Sequence, residues 1–240
     1  MADFNVFLDT DQLATAAADH IARLLSEALD QRPRATLVLT GGKTPEPVYR
    51  SLADHHKDTL DWRRVDFFWG DDRFVPPDHE ESNVRLAEEN LFARLRIGDL
   101  HVYPFPVTAD TPEDAARSHE QTLRAYFAGD EPRFDVVLLG VGADGHVASL
   151  FPGSSSLAEK ERWVLHTEAP AGNPITDRLT MTLPLLNAGR SIVFLVAGEK
   201  KSDAVAAATG SNQEAPAGRI QGDGDVAWFL DEAAAQEVHV

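Results

Sequence analysis

The chain repeats one unit: a short run of apolar and β-branched residues, a turn rich in glycine or polar residues, and the start of a helix. The clearest runs are predicted strands at 35–40, 65–69, 134–140 and 191–197. Strands that alternate with helices predict an α/β fold. We therefore expect a mainly parallel, Rossmann-like three-layer sandwich with helices on both faces of the sheet.

The same patterns predict the other elements. Thr111 and Pro112 give the clearest helix start, a capping hydroxyl followed by proline, and this helix should reach about Phe127. Further helices are predicted at 10–28, from 44 onward, at 83–95, 183–187 and 199–208. Further strands are predicted at 4–8, 100–103, 162–166, 178–182 and 226–229. The stretch 210–224, rich in glycine, alanine and polar residues, is predicted to be a flexible loop.

Composition narrows the class of protein. With 240 residues, of which 43% are hydrophobic, the chain is predicted to form a single domain over 1–240. The longest apolar runs fall far short of a membrane span, and the start of the chain shows no secretory signal, so we expect a cytoplasmic protein. The 22 basic and 39 acidic residues give a net charge of −17, which disfavours nucleic acid and anionic membranes as partners.

Cysteine is absent from the sequence. This excludes disulfides, thiolate nucleophiles and zinc sites built on cysteine. The nine histidines show no ligand spacing such as H-E-x-x-H, so we expect neither a metal nor another cofactor.

Ligands of open α/β sheets bind at the carboxyl ends of the strands, so the loops after 40, 69, 140 and 197 are the candidate site. The first loop contains Gly41, Gly42, Lys43 and Thr44 directly before a helix. Glycines, free N–H groups at a helix start, a cation and a hydroxyl suit a phosphate group. The spacing is not that of a Walker loop, and an ordinary strand-to-helix turn explains this segment equally well.

The second loop places Asp71 and Asp72 beside Arg73. An arginine flanked by carboxylates can orient a polar ligand or form ion pairs with its own neighbours, and on this segment alone the structural interpretation is favoured.

The third loop, 140–153, carries the most information. Its first six residues match the dinucleotide fingerprint G-x-G-x-x-G, but Pro152 follows too soon for the full-length helix that the fingerprint should open. Asp144 and His146 at a strand end favour a proton-transfer pair instead. Gly142 and Gly145 are predicted to clear space for a ligand to reach the imidazole. A histidine held by packing alone is the simpler alternative.

The fourth region combines Arg178 with the strand-to-helix junction Gly198-Glu199-Lys200-Lys201. In an acidic chain, Lys43, Arg178 and Lys200 near strand ends would form the local positive pocket that an anionic substrate needs. A solvated helix start is the alternative for the lysines, but cations are disfavoured beside a helix N-terminus.

Taken together, these loops resemble those of the 6-phosphogluconolactonases, whose superfamily also contains the glucosamine-6-phosphate deaminases. The matching stretches are 39–45, 68–76, Ser82-Asn83, 140–152, 178–182 and 228–232. The chain departs from the usual pattern at Lys43, where serine is common, and at Asp72, where glutamate is common. The resemblance implies hydrolysis of 6-phosphoglucono-δ-lactone to 6-phosphogluconate without a cofactor.

The resemblance also implies roles for the selected residues. His146 is the expected general base, Asp144 or a neighbouring carboxylate such as Asp71 would orient it, and Arg73 would steady the oxyanion. The expected phosphate contacts are Gly41, Gly42, Lys43, Thr44, Arg178 and Lys200. A deaminase, a nucleotide-binding oxidoreductase and a non-catalytic sugar-phosphate sensor are the alternatives. We expect a monomer or a weak homo-oligomer.

Overall fold

The computed structural model describes residues 3–95, 101–210 and 215–238. Its main strands are β1 (Asp3–Phe7), β2 (Ala35–Leu39), β3 (Val65–Trp69), β5 (Val102–Tyr103), β6 (Val136–Leu139), β9 (Ser191–Val196) and β10 (Asp225–Asp231). They form one sheet in the order β1, β10, β9, β6, β2, β3, β5, and every neighbouring pair is parallel. Every residue of β2, β3 and β6 is buried, as expected for strands covered on both faces. The predicted parallel α/β fold is confirmed.

The helices are α1 (Thr10–Gln31), α2 (Pro45–His56), α3 (Asn83–Ala87), α4 (Ala93–Leu95), α5 (Pro112–Tyr126), α6 (Leu183–Asn187) and α7 (Ser202–Thr209). A π-helical turn, Glu88–Phe92, joins α3 to α4, so the helix predicted over 83–95 is present but irregular. The Thr111 hydroxyl accepts the Asp114 N–H and caps α5 as predicted. Asp9, not Thr10, caps α1 through the Gln12 N–H.

Helices cover both faces of the parallel sheet. Phe67 and Phe68 are neighbours on β3, so their side chains point to opposite faces. The Phe67 ring packs against Phe92, between α3 and α4, with the ring centres 4.9 Å apart. The Phe68 ring packs against Tyr126 of α5 at 5.0 Å. The three-layer arrangement follows from these two contacts.

A second, antiparallel sheet was not predicted. It consists of β4 (Asp71–Arg73), β8 (Asp177–Met181) and β7 (Val164–Glu168), in that order. The sequence indicated the strands at 162–166 and 178–182 but assigned them to the parallel sheet. Only residues 169–176 separate β7 from β8, too few for the crossover that parallel neighbours need, so the two strands form a hairpin.

The loop predicted to be flexible is partly packed. Residues 215–218 and 220 are buried, and the Ala217 N–H donates to the Gly145 carbonyl at 3.0 Å. Residues 211–214 of this loop and Leu100 of the predicted strand 100–103 lie outside the described residues. No helix in the described part of the chain is long and apolar enough to span a membrane.

Candidate active site

The loops that follow β2, β3, β6 and β9 surround one cavity of about 700 Å³ at the carboxyl edge of the parallel sheet. Strand ends bring them together because these strands run in the same direction and β6 lies between β2 and β9. Most of the predicted site residues lie on the cavity wall: Gly41, Gly42, Lys43, Thr44, Asp71, Arg73, His146 and Lys200. Asp144 and Arg178 are not among the residues that line the cavity.

His146 and Asp144 form a hydrogen-bonded pair at this cavity. The imidazole Nδ1 lies 2.6 Å from Asp144 Oδ1, and the same oxygen accepts the His146 backbone N–H at 3.2 Å. Partial burial would raise the pKa of Asp144, but the His146 charge and its hydrogen bonds hold that pKa below its usual range. Because Nδ1 is occupied, Nε2 is the imidazole nitrogen left for a ligand.

The glycines around His146 leave room for neighbouring side chains. A Cβ atom at Gly142 would overlap the His146 ring and lie 2.6 Å from Asp144 Oδ1. Gly145 has a φ of +82°, and a Cβ there would meet Ala215 Cβ at 2.7 Å. Gly142 therefore makes room for the His146–Asp144 pair and also lines the cavity, whereas Gly145 makes room for Ala215. That the two glycines let a ligand reach the imidazole stays a prediction.

The acidic residues of the second loop divide into two roles. Asp71 lies on the cavity wall, and the buried Ser149 hydroxyl donates to its carboxylate at 2.6 Å. Asp72 is only 1% exposed and accepts the backbone N–H groups of Arg73 and Asn83, both at 2.8 Å. Burial raises the pKa of Asp72 to about 7 despite these bonds. Asp72 therefore anchors the loop, while Asp71 is available to a ligand.

Arg73 and Arg178 are opposite each other on β4 and β8. Arg178 is 7% exposed, and no described residue accepts a hydrogen bond from its Nη1. Burial lowers the pKa of Arg178, and the nearby charge of Arg73 lowers it further. Two adjacent guanidinium groups with unused donors make this wall attractive to an anion.

Three lysines add positive charge to the cavity: Lys43, Lys200 and Lys201. None forms an ion pair with another residue of the described ranges. The sequence selected Lys200, but its side chain is exposed, whereas Lys201 is more enclosed. Burial lowers the pKa of Lys201, and only the charge of Asp144 opposes that effect. Both lysines of this junction therefore line the cavity, although the sequence prediction assigned the phosphate contact to Lys200.

The glycine loop also offers backbone donors. The N–H groups of Gly41, Gly42 and Lys43 make no hydrogen bond to any residue that the structure describes. The buried Tyr49 hydroxyl holds the preceding Thr40, because it donates to the Thr40 carbonyl at 2.6 Å and accepts the Thr40 N–H at 2.9 Å. The loop is fixed at its base and keeps free donors at its tip, as a phosphate site requires.

Two cofactor arrangements can be compared with the structure. Residues 140–154 form turns and open no helix; the next helical element is the short 3₁₀ turn Ser155–Ala158. The dinucleotide interpretation of G-x-G-x-x-G therefore lacks the helix N-terminus on which a pyrophosphate would sit. Among the described residues, no three histidine, aspartate or glutamate side chains are grouped so that they could hold a metal ion.

The sequence matches relatives along almost its whole length. The family model described as glucosamine-6-phosphate isomerases/6-phosphogluconolactonase matches residues 8–228. A 6-phosphogluconolactonase from Synechocystis sp. is 37% identical over 240 residues, which cover 98% of this chain and 97% of that protein. A 6-phosphogluconolactonase from Mycobacterium leprae is 36% identical, with 99% and 98% covered.

Solved structures agree with this match. The 6-phosphogluconolactonase of Trypanosoma brucei superposes with a TM-score of 0.89 at 30% identity, covering 100% of this chain and 99% of that one. A monomeric glucosamine-6-phosphate deaminase shares the fold, with a TM-score of 0.81 at 22% identity over 98% of this chain and 99% of its own. From the family match and the full-length relatives, the chain belongs to the glucosamine-6-phosphate isomerase/6-phosphogluconolactonase family.

Proposed function

We propose that this chain hydrolyses 6-phosphoglucono-δ-lactone to 6-phosphogluconate, the second step of the oxidative pentose phosphate pathway. The observation that carries the proposal is the His146–Asp144 pair, with its 2.6 Å contact, beside a cavity whose lysines lack acidic partners in the described ranges. An imidazole that can act as a base, beside free cations, is what the hydrolysis of a phosphorylated ester needs. The full-length lactonase relatives support the same choice of substrate.

His146 is the proposed general base. Its Nε2 takes a proton from a water molecule whose oxygen bonds to the lactone carbonyl carbon. The bond from that carbon to the ring oxygen then breaks, and the same proton passes to the ring oxygen, which becomes a hydroxyl group of the product. Asp144 holds Nδ1–H and stabilises the imidazolium between the two transfers.

Charge on the carbonyl oxygen rises as water adds, and Arg73 is the proposed group that stabilises it. Asp71 lies on the same wall and would contact sugar hydroxyls. At the other end of the substrate, the phosphate would bind the free N–H groups of Gly41 and Gly42, together with Lys43 and Thr44. Lys200 and Lys201 would complete this phosphate site, and Arg178, paired with Arg73 across β4 and β8, would add positive charge.

The proposal needs no metal and no cofactor, because every step uses a side chain or backbone group of this chain. The cytoplasmic location, the absence of nucleic-acid and membrane partners, and the monomeric or weakly associated state stay predictions.

A deaminase acting on glucosamine 6-phosphate is the second candidate, since the family description names both activities and a deaminase shares the fold. A coupled assay distinguishes them. Formation of 6-phosphogluconate would be followed through its oxidation by a dehydrogenase, after subtraction of the spontaneous hydrolysis, and ammonia release would be measured from glucosamine 6-phosphate. We expect lactone hydrolysis above background and no ammonia. Ammonia release without lactone hydrolysis would overturn the proposal.

A further inference from the structure

Asn83 is a buried polar residue on the cavity wall that the mechanism above does not use. It is the first residue of α3 and is 2% exposed. Its backbone N–H donates to the Asp72 carboxylate at 2.8 Å, and its carbonyl accepts the Trp69 indole N–H at 3.1 Å. The backbone is therefore held on both sides, which fixes the direction of the side chain.

The Asn83 carboxamide connects two residues of the neighbouring strand. Its Nδ2 donates to the Asp71 backbone carbonyl at 2.8 Å, and its Oδ1 accepts from Arg73 Nη1 at 3.1 Å. The carbonyl can only accept and the guanidinium can only donate, so a side chain that both donates and accepts is required here. Asparagine meets this requirement, whereas alanine or leucine does not.

Gly41 provides the space for this carboxamide. A Cβ atom at position 41 would overlap the Oδ1 and Cγ atoms of Asn83. The backbone of Gly41 is not in the left-handed region, so its conformation alone does not require glycine. The neighbouring Gly42 differs, because its φ is +100° and nothing lies within 4 Å of a Cβ built there. The Asn83 side chain, and not the backbone conformation, therefore requires glycine at position 41.

Arg73 is held at one end only. Its Nη1 donates to the Glu81 carbonyl at 2.6 Å as well as to Asn83. Its Nε and Nη2 make no hydrogen bond within the described residues, and the side chain lies on the cavity wall. Anchoring Nη1 leaves the other two nitrogens for a ligand.

We propose that Asn83 is a positioning residue, which fills the space left by Gly41 and fixes Arg73 Nη1 so that Nε and Nη2 face the ligand. For its effect on substrate, this inference rests on the proposed function. Asn83 touches no reacting atom in this account and acts through Arg73. Its loss is expected to weaken binding of the anionic ligand more than to disturb the fold.

The first experiment measures binding of the product, 6-phosphogluconate, by calorimetry. Asn83→Ala should weaken binding by roughly 10-fold, the effect of one charge-assisted hydrogen bond. In an Arg73→Ala background the same change should have less than about a 2-fold effect, because the arginine it positions is gone. The matched control is Ser82→Ala one residue away, whose hydroxyl caps α3 and donates to Asp72 at 3.4 Å but does not line the cavity. It should lower the melting temperature and leave binding unchanged.

The second experiment needs no ligand. Gly41→Ala should lower the melting temperature in the wild type and have little effect in Asn83→Ala, since the overlap is then absent. An equal loss in both backgrounds, or product binding by Asn83→Ala equal to wild type, would overturn the inference. Failure of the wild type to hydrolyse the lactone would overturn the proposed function alone, because this stability cycle still decides the Gly41–Asn83 contact.

Discussion

The two ends of the parallel sheet carry similar cations in opposite circumstances. At the amino end, Arg32 contacts the buried Asp135 at 2.5 Å, and Arg34 contacts the buried Asp66 at 2.6 Å. Arg64, on the same side, donates to the carbonyls of Leu29 and Pro33 at 2.8 and 2.7 Å. At the carboxyl end, the cavity lysines have no acidic partner within the described ranges.

This difference distinguishes the cations that stabilise the fold from the cations that can bind a ligand. A cation with a buried carboxylate partner stabilises the fold but has little left to offer a ligand. A cation without a partner contributes less to the fold and keeps its donors for a substrate. The cations at the amino edge of the sheet therefore stabilise the fold, whereas those at the carboxyl edge are free to bind a ligand.

The largest expected effect concerns the carboxyl edge. His146→Ala should lower kcat by roughly 10²–10⁴-fold, the usual cost of removing a general base. The melting temperature should stay close to that of the wild type, because a partly exposed loop imidazole contributes little to the core. Steady-state kinetics with the lactone and a thermal melt of the same preparation check both parts. Wild-type kcat in this variant would place the base elsewhere.

At the amino edge the expected effect is on stability alone. Arg34→Ala leaves the Asp66 carboxylate, 1% exposed, with Tyr126 and His101 but without its arginine partner. We expect a loss of about 3 kcal/mol in the free energy of unfolding, because a buried carboxylate then lacks its charged partner. Chemical denaturation measures this loss. A change in kcat or KM of the folded variant would contradict the division between the two edges.

Within the carboxyl edge, the cavity lysines Lys200 and Lys201 can be compared with each other. Lys201→Ala should raise KM for the phosphorylated lactone by an amount equivalent to about 1.5 to 3 kcal/mol, the value of a charge-assisted contact. Lys200→Ala should raise KM less, because this side chain is more exposed and easily replaced by water. Kinetics of the two single variants provide matched controls for each other. A larger effect at Lys200 would reverse their assignment.

The smallest expected effect involves His119 in α5, which belongs to neither edge. Burial lowers its pKa to about 3, and its Nε2 has no hydrogen-bond partner among the described residues. The unfolded chain binds this proton near pH 6.5, so the contribution of His119 to stability is complete above that pH and declines as pH falls toward 3. The decline should reach about 1.4 kcal/mol one pH unit below 6.5.

Asp72 changes stability with pH in the opposite direction to His119. Its raised pKa means that the folded state keeps a proton that the unfolded state has already released, so stability declines as pH rises from the normal aspartate value to about 7. Comparing the free energy of unfolding of wild type and His119→Phe at pH 5.5 and 7.5 isolates the histidine. A difference that does not depend on pH would contradict the assignment of a buried, neutral His119.

Most of the fold could be predicted from the sequence, because the apolar runs and helix starts are local signals. Thr111 and Pro112, for example, predict the start of α5 through backbone chemistry alone. The strand β4 was missed because Asp71, Asp72 and Arg73 have none of the apolar or β-branched character of a strand. It exists because its backbone pairs with that of β8, a contact that no local sequence signal reveals.

Only part of the candidate site could be predicted from the sequence. Loops at strand ends could be located, since parallel strands gather them at one edge. The direction of a side chain could not be predicted, so Lys200 was selected although Lys201 is more enclosed, and Asn83 was noted only at a helix start and in the Ser82-Asn83 stretch of the resemblance, with no role at the site. The purpose of Gly142 and Gly145 was likewise hidden, because it depends on the His146 ring and on Ala215, which is 70 residues further along the chain.

The pH dependence of kcat/KM for lactone hydrolysis tests the central claim most directly, when wild type is compared with His146→Asn after subtraction of the spontaneous reaction. A general base must accept a proton from water, so the wild type should show a rate that rises with pH, and this rise should depend on the side chain at position 146. Asparagine keeps polarity and hydrogen bonding but cannot accept that proton, so the variant should be slow and lack the rise. A variant with the wild-type rate and the same rising limb would contradict the claim that His146 is the base.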